Sequence, residues 1–325
     1  VYSIIVPTFN RAESLARTVQ SLQAQRADVP YEILVVDNNS TDRTASLVRS
    51  LAVRSGGRVR HVFESSQGLS LARNRGIAEA RGEVLVFVDD DVVARPGWLG
   101  ALAETYRRHP DAWCVGGKIV LALPDTWPGW FDPGSPILGA YLSALNYGDG
   151  EIELEYPQTP HGANMSLRRE AVERVGQFDP RVGPIGLRHA VGDDSDLCWR
   201  VQRAGGRVYY CGQATVEHVV PPQRLTKRWF RARAFGGGEA FAQLGVLPAS
   251  RAWRELGHWA LVGLRHTVSA LVAPGRADRR RMFEDELVLW WSLGAVRQHV
   301  SSSTLRLVPS RPGGNEDAAR CASSS

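Results

Sequence analysis

The run Glu83-Val84-Leu85-Val86-Phe87-Val88 ends in three consecutive aspartates, Asp89-Asp90-Asp91. An apolar run of that length, rich in Val and preceded by Gly82, predicts a strand buried on both faces, and such strands belong to sheets covered by helices on either side. Three carboxylates where a buried strand leaves its sheet repel one another and resist joint ionisation. A divalent cation relieves that repulsion, because hard oxygen ligands suit Mg²⁺ or Mn²⁺. A solvated acidic turn is the plainer alternative. The buried strand favours a metal or nucleotide site, since ligands of open α/β sheets gather at the carboxyl ends of the strands.

The same signals recur along the first part of the chain. Tyr2 to Val6 predicts a strand stopped by Pro7, followed by helix-like spacing from Arg11 to Gln25. Glu32 to Asp37 predicts a second buried strand, and Asn38-Asn39-Ser40-Thr41-Asp42 after it is a turn-and-cap cluster that opens a helix through about Leu51. Val59 to Phe63 is a third strand, Leu69 to Ala80 a helix, and Pro96-Gly97-Trp98 the start of another. Strands alternating with helices predict an α/β fold with a mostly parallel sheet flanked by helices.

Beyond Asp111 the pattern loosens. Trp113 to Gly116 and Val208 to Tyr210 read as strands, and Pro124 to Pro160 is rich in Pro, Gly and aromatic residues without periodicity. So long an irregular stretch inside a compact domain predicts a substrate loop or lid. Three helices follow, over Arg224 to Leu244, Ala252 to Val272 and Arg279 to Val300, and the Ser-, Pro- and Gly-rich tail from Ser301 predicts disorder. The chain of 325 residues is thus expected to divide into a catalytic-type domain at 1–221, a helical extension at 222–300 and a tail at 301–325.

Charge is unevenly shared. Residues 1–199 carry 20 Lys and Arg against 25 Asp and Glu, whereas residues 200–325 carry 19 against 9. An acidic part joined to a basic part predicts two surfaces with different partners, nucleic acid or an anionic membrane being the candidates for the second. Trp259 to Ala273, the most apolar stretch, is interrupted by Arg265 and His266 and is too short to span a bilayer. Arg224, Lys227, Arg228, Arg231 and Arg233 interleave with Leu225, Trp229, Phe230 and Phe235, which predicts either a helix lying on a membrane surface or one packing its aromatics on the preceding domain. Cys114, Cys198, Cys211 and Cys321 form no CxxC pair, so neither a disulfide framework nor a zinc site is expected, and a reducing, cytoplasmic compartment fits. The chain opens at Val1 with no leader-like n-region; the missing initiator Met suggests truncation.

Six segments in order carry a resemblance: Val6-Pro7-Thr8-Phe9-Asn10-Arg11, Val36 to Asp42, Gly68 through Ala72-Arg73-Asn74-Arg75-Gly76, Phe87 to Asp91, His161-Gly162-Ala163-Asn164-Met165 and Gly192-Asp193-Asp194-Ser195-Asp196-Leu197. Together they resemble family 2 glycosyltransferases of the GT-A fold over about residues 1–220. The resemblance implies a Rossmann-like nucleotide-binding half, an inverting transfer from a nucleotide diphosphate sugar, and Mn²⁺ or Mg²⁺ as cofactor. It implies donor contacts from Pro7, Thr8, Asn10, Arg11, Asp37, Arg73, Asp89, Asp90 and Asn164, with Asp37 accepting from the base. By the same resemblance Asp91 binds the metal, His218 joins it, and Asp89 binds the metal, the ribose or both through water. Asp194 is implied as the base that deprotonates the acceptor hydroxyl, with Asp193 beside it on the acceptor side. The family's commoner Glu-Asp is here Asp193-Asp194. Gln223 and Arg228-Trp229 are too far apart for the processive Gln-x-x-Arg-Trp motif, which implies a non-processive enzyme.

Residue chemistry is consistent with these roles. Departure of a nucleoside diphosphate builds negative charge that a cation stabilises, neutral imidazole is a fitting Mn²⁺ ligand, and an extended Asp89-Asp90-Asp91 would point its outer carboxylates one way and Asp90 the other. For each there is a plainer role: Asp37 capping a helix, Arg73 a surface cation, His218 a satisfied core residue, and Asp193 and Asp194 a capping cluster. Val182 to Gly186 reads as a mobile acceptor loop. A nucleotidyltransferase would want a glycine-rich phosphate loop with lysine after the first strand, and the only lysines are Lys118 and Lys227. A non-catalytic sugar-nucleotide or glycan-binding module is the remaining alternative, and no nucleic-acid reader motif is present. The Arg-rich composition suggests a GC-rich bacterial genome, and with it cell-surface polysaccharide or glycolipid synthesis; the resemblance implies a glycan or lipid-linked acceptor, and the basic C-terminal part suggests peripheral attachment to the inner face of the plasma membrane.

Overall fold

The computed structural model describes residues 1–183, 191–272 and 278–307, with backbone alone at 267–272, 279 and 303–307. Four parallel strands open the sheet: β1 (Tyr2–Thr8), β2 (Tyr31–Asp37), β3 (Val59–Phe63) and β4 (Val84–Val88), in the order β3-β2-β1-β4. Their connections run through α1 (Ala12–Gln23), α2 (Thr44–Arg54) and α3 (Leu69–Glu79). Chain order reverses between β1 and β4, because β2 and β3 are added on one side of β1 and β4 on the other. Such a switch point leaves a crevice at the carboxyl ends of the strands. Every residue of β1 and β4 is buried. α1 turns Ala12, Leu15, Val19 and Leu22 onto the sheet at helical spacing. Pro7 lies inside β1 instead of ending it: pairing with β4 stops at Ile5↔Phe87, and beyond it β1 has only β2 as neighbour, where one missing N–H is tolerated.

The second half of the sheet is mixed. After β5 (Val92–Ala94) and α4 (Trp98–Arg108) comes β6 (Ala112–Ala122), then α5 (Pro136–Tyr141), β7 (Glu151–Glu153), β8 (Asn164–Arg168), α6 (Arg169–Val175), α7 (Asp193–Arg203) and β9 (Arg207–Val219). β8 runs antiparallel between β4 and β6, and β9 pairs parallel with β6 and antiparallel with β5 and β7. The late strand is much longer than the Val208 to Tyr210 run suggested, because polar Gln213 and Glu217 interrupt the apolar signal while backbone pairing continues to Val219.

After a 3-10 turn at Pro222–Arg224 the helices α8 (Lys227–Gln243), α9 (Ala249–Val272) and α10 (Arg279–Leu307) complete the chain. α10 continues past Ser301, where the sequence suggested a tail, and residues 308–325 lie outside the described residues. Phe230, Ala234, Phe283 and Leu287 from α8 and α10 form one apolar cluster with Phe131, Leu138 and Leu142 of the irregular segment. α8 and α10 approach backbone to backbone: a Cβ on Gly238 would stand 1.8 Å from the Trp291 carbonyl oxygen. No helix among the described residues is long and apolar enough to cross a membrane.

Candidate active site

The crevice at the switch point is a cavity of about 440 Å³, walled on one side by Pro7, Thr8, Phe9, Asn38, Gln67 and Gly68 and floored by Asp89, Asp90 and Asp91. Next to it lies a second cavity of about 280 Å³ lined by Arg73, His161, Gly162, Asp193, Asp194 and Ser195. Leu69, Asp89, Tyr141, Ser143 and Arg233 line both.

The chain turns at Asp90-Asp91, so the strand alternation expected for the three aspartates does not hold. Asp90 Oδ2 accepts from Thr8 Oγ1 at 2.7 Å, and Arg11 Nη1 donates to both Asp90 and Asp91, at 3.3 and 2.7 Å. Burial pushes the Asp90 carboxyl above the usual range, the charges of Asp91 and Asp89 add to that rise, and Arg11 opposes it. Asp91 is held far below the usual range: burial acts against this, but His218, Arg224 and Arg11 together outweigh it.

Strand register brings His218 to Asp91. Val92 pairs with His218 across β5 and β9, and Val219 N donates to the Asp91 carbonyl oxygen at 2.8 Å. His218 Nε2 then stands 3.3 Å from Asp91 Oδ1 and 3.2 Å from Arg224 Nη1. Nε2 cannot donate to the one and accept from the other at once, and the buried Nδ1 has no hydrogen-bond partner among the described residues.

Arg73 is not a surface cation. It is 2% exposed, with Nη1 2.6 Å from Asp193 Oδ2 and Nη2 3.2 Å from Asp89 Oδ1. The guanidinium lies over the Phe178 ring, 5.2 Å from its centroid, and Asn74 fixes that phenylalanine by bonding both its N–H and its carbonyl. A Cβ on Gly162 would meet Nη2 of Arg73, so any larger residue here would displace the guanidinium from its ion pairs. Burial raises the Asp193 carboxyl above its ordinary value, with Arg73 opposing. Asp194 accepts from Gly162 N and Ser195 N, each at 2.8 Å. Burial would raise it, yet His161, Arg73 and these two amides hold it below the ordinary value.

Three implied donor contacts lie elsewhere. Asn164 is fully buried; its amide donates to the carbonyls of Lys118 and Ala214 and its oxygen accepts from Trp98 Nε1. Both amide hydrogens are used in tying β8 to β6 and, beyond it, to β9, which corrects the sugar-contact expectation. Asn10 Oδ1 accepts from the Thr41 and Asp42 amides, joining two loops, and does not line either cavity. Asp37 is also off the cavity walls: its carboxylate accepts from Ser40 N at 2.9 Å and lies 3.5 Å from His61 Nε2. Asn38 and Gln67 line the first cavity instead, the former oriented by bonds to Ser66 O and Gly68 N.

The irregular segment contributes Tyr141 and Ser143 to both cavities. Residues 184–186 of the expected acceptor loop lie outside the described residues. Sequence reasoning missed the part played by the C-terminal helices. Arg224 reaches Asp91 at 3.0 Å, Trp229 and Arg233 line the first cavity, and Phe241 and Trp291 close the second. The basic stripe of α8 is largely turned inward: Lys227 sits over Phe283 and Trp130, Arg231 pairs with Glu286, and of the stripe's cations only Arg228 is exposed. Packing, not a membrane face, accounts for α8.

Comparison with known proteins agrees with this geometry. The profile of Glycosyl transferase family 2 matches residues 3–176. A glucosyl-dolichyl phosphate glucuronosyltransferase of Haloferax volcanii is 30% identical over 241 residues, covering 73% of this chain and 74% of that protein. The succinoglycan biosynthesis protein ExoM of Rhizobium meliloti is 29% identical over 286 residues, covering 85% and 86%. A mannosyltransferase of Pyrobaculum calidifontis, solved with GDP-Man and Mn²⁺, shares the fold at a TM-score of 0.55 and 22% identity, over 96% of this chain and 76% of its own.

Proposed function

The chain belongs to glycosyltransferase family 2, and from that premise we propose that it is an inverting, cation-dependent enzyme moving a sugar from a nucleoside diphosphate to a hydroxyl of a glycan or lipid-linked acceptor. One observation carries the reading: the Asp89-Asp90-Asp91 and Asp193-Asp194 motifs, about a hundred residues apart, face one connected cleft and are joined through Arg73. The first cavity, at the strand ends, takes the nucleotide; the second takes the acceptor, with its hydroxyl beside Asp194.

The residues fit a divalent cation. Asp91 Oδ1 and His218 Nε2 stand 3.3 Å apart, an oxygen and an imidazole nitrogen close enough together to serve one cation. The conflict at His218 Nε2 resolves if that nitrogen presents its lone pair to a cation, an oxygen-and-imidazole set suited to Mn²⁺. Asp91 and His218, with Asp89 on the open side, would hold the ion. Among the described residues no group of three or more His, Cys, Asp or Glu forms a ready-made metal cage. Bound there, the cation supplies positive charge for the departing diphosphate.

The chain's own residues do the rest. Asp194, ionised and held by two amides, accepts the acceptor's proton; its depressed pKa makes it a weak base, so the reaction leans on leaving-group stabilisation. Arg73 keeps Asp193 and Asp89 in register without contacting the reacting atoms. The relatives named for a glucosyl-dolichyl phosphate and for succinoglycan support a lipid-linked or polysaccharide acceptor. For a membrane-borne acceptor the docking surface is α9, whose exposed Trp253, Leu261 and Leu264 are flanked by Arg254 and Arg265, and its partner is an anionic bilayer.

A panel of UDP-, GDP- and dTDP-sugars screened by thermal shift with Mn²⁺, followed by NMR of the product's anomeric configuration, tests the reading. Stabilisation by one nucleotide family and an inverted product are expected. A retained configuration would remove the single-displacement mechanism, and no response to any donor would leave only a glycan-binding module.

A further inference from the structure

Arg233 is the one cation on the wall shared by the two cavities. Its neighbours in the basic cluster are committed: Arg11 to Asp90 and Asp91, Arg73 to Asp89 and Asp193, Arg224 to Asp91 and Arg231 to Glu286. Arg233 has no hydrogen-bond or ion-pair partner among the described residues, although it is half-buried. A charge partly removed from water without a direct partner is destabilising; burial and the Arg224 charge act against it, while Asp194, Asp193 and Asp89 attract it from beyond ion-pair distance. The helix that carries it is rigidly seated, with Phe230 and Ala234 buried on either side of its turn and Gly238 against the backbone of α10.

If the nucleotide fills the first cavity and the acceptor the second, the bond that breaks lies at their junction. Five residues form that junction, and of these Asp89 is anionic, Leu69, Tyr141 and Ser143 are neutral, and Arg233 alone is positive. In the transfer, the acceptor oxygen bonds to the anomeric carbon and gives its proton to Asp194. The bond from that carbon to the terminal phosphate oxygen breaks, and the electron pair stays on the phosphate. The departing diphosphate therefore carries one more negative charge than it did in the donor. We propose that Arg233 is a catalytic residue that neutralises this new charge on the terminal phosphate. This assignment rests on the donor and acceptor sites proposed above and places part of the catalytic machinery on the C-terminal helices.

An interaction that strengthens only as charge develops raises kcat more than donor affinity. The test compares wild type, Arg233→Gln and Arg233→Lys with Mn²⁺ present, by calorimetry with UDP, GDP, UDP-glucose and GDP-mannose and by the rate of donor hydrolysis. For whichever nucleotide the wild type binds, Arg233→Gln should weaken the free diphosphate about tenfold or more, change the nucleotide-sugar by less than about threefold, and lower kcat on the order of 10²-fold. Arg233→Lys should recover part of the loss. Equal weakening of diphosphate and nucleotide-sugar, an unchanged kcat, or an effect confined to acceptor KM would each overturn the assignment. Should Arg233→Gln fail to fold, the lysine variant carries the same comparison in smaller steps. A wild type that binds none of these four, nor dTDP or its sugars, would sink the proposed function itself, an outcome distinct from a wild type that binds and a variant that matches it.

Discussion

Arg73 reaches across the cleft to Asp193, Nη1 to Oδ2 at 2.6 Å, and through its other nitrogen holds Asp89 at 3.2 Å. One buried guanidinium thus links the two acidic motifs to each other. Breaking a buried pair by removing one partner leaves an uncompensated charge and costs about 3–5 kcal/mol. Arg73→Met should therefore lower the urea midpoint markedly and abolish transfer, whereas Arg73→Ala combined with Asp193→Ala should recover part of the stability but not the activity. A single variant as stable as wild type would mean that the link carries no structural weight.

Asp194 and Asp193 should separate in kinetics. Replacing Asp194 with Asn should lower kcat by about 10²- to 10⁴-fold with donor affinity nearly unchanged. The folded-state pKa of Asp194 is depressed, so its ionised form contributes stability at pH above the unfolded value of about 3.9 and loses it as pH falls through the folded value. Activity should accordingly show no acidic limb from this group down to about pH 5. A limb near pH 6 that disappears in Asp194→Asn would contradict the depressed value. If Asp193→Asn proved the more damaging change with stability intact, the base would be the wrong neighbour.

Cation dependence should reside in Asp91 and His218. Titration of the nucleoside diphosphate should weaken strongly in EDTA for the wild type and become insensitive to EDTA in Asp91→Ala. His218→Ala should lie between the two, since one carboxylate and the phosphates remain. Identical EDTA sensitivity in all three proteins would take the metal away from this pair.

The expectation for Asn164 is inverted by its surroundings, and the inversion is measurable. Its three bonds, to Lys118 of β6, Ala214 of β9 and Trp98 of α4, are internal to the fold. Asn164→Ala should cost at least about 1–3 kcal/mol, the penalty for a single buried polar group left unpaired, while the Kd for donor stays the same. A selective loss of donor affinity at unchanged stability would restore the sugar-contact role.

These outcomes also mark what could be read from the sequence. β1 to β4 and their helices were legible because apolar runs and cap clusters are local signals, and the Asp89-Asp90-Asp91 triplet located the crevice because a buried strand end is a local fact as well. The turn at Asp90-Asp91 was not legible, since a shared Arg11 reverses the strand alternation. Arg233 and Trp291 were not legible either. Their approach to Asp89 and Asp194 depends on Gly238 letting two helices touch, and nothing near Arg233 in the chain distinguishes it from Arg228, which points to solvent. Asn164 lay in a family-like segment whose chemistry looked available until strand pairing used it.

The basic C-terminal part provides the last prediction. With α8 turned inward, the surface left for a bilayer is α9. Trp253, Leu261 and Leu264 are 55%, 69% and 62% exposed, and their spacing of eight and three residues places them along one side of the helix. Arg254 and Arg265 flank that side, the arrangement of a helix lying in the plane of a membrane interface. Apolar side chains here would enter the headgroup boundary, and each cation near an anionic surface adds roughly 1 kcal/mol that salt screens. The protein should co-sediment with anionic vesicles more than with neutral ones. Trp253→Ser, Leu261→Ser and Leu264→Ser together should abolish binding while leaving turnover of a soluble acceptor unchanged. Arg228→Gln should have little effect, because one exposed cation on a packed helix makes no surface. Binding that survives the triple change but is lost with Arg228 would return the membrane face to α8, and indifference to vesicle charge would leave α9 facing another protein.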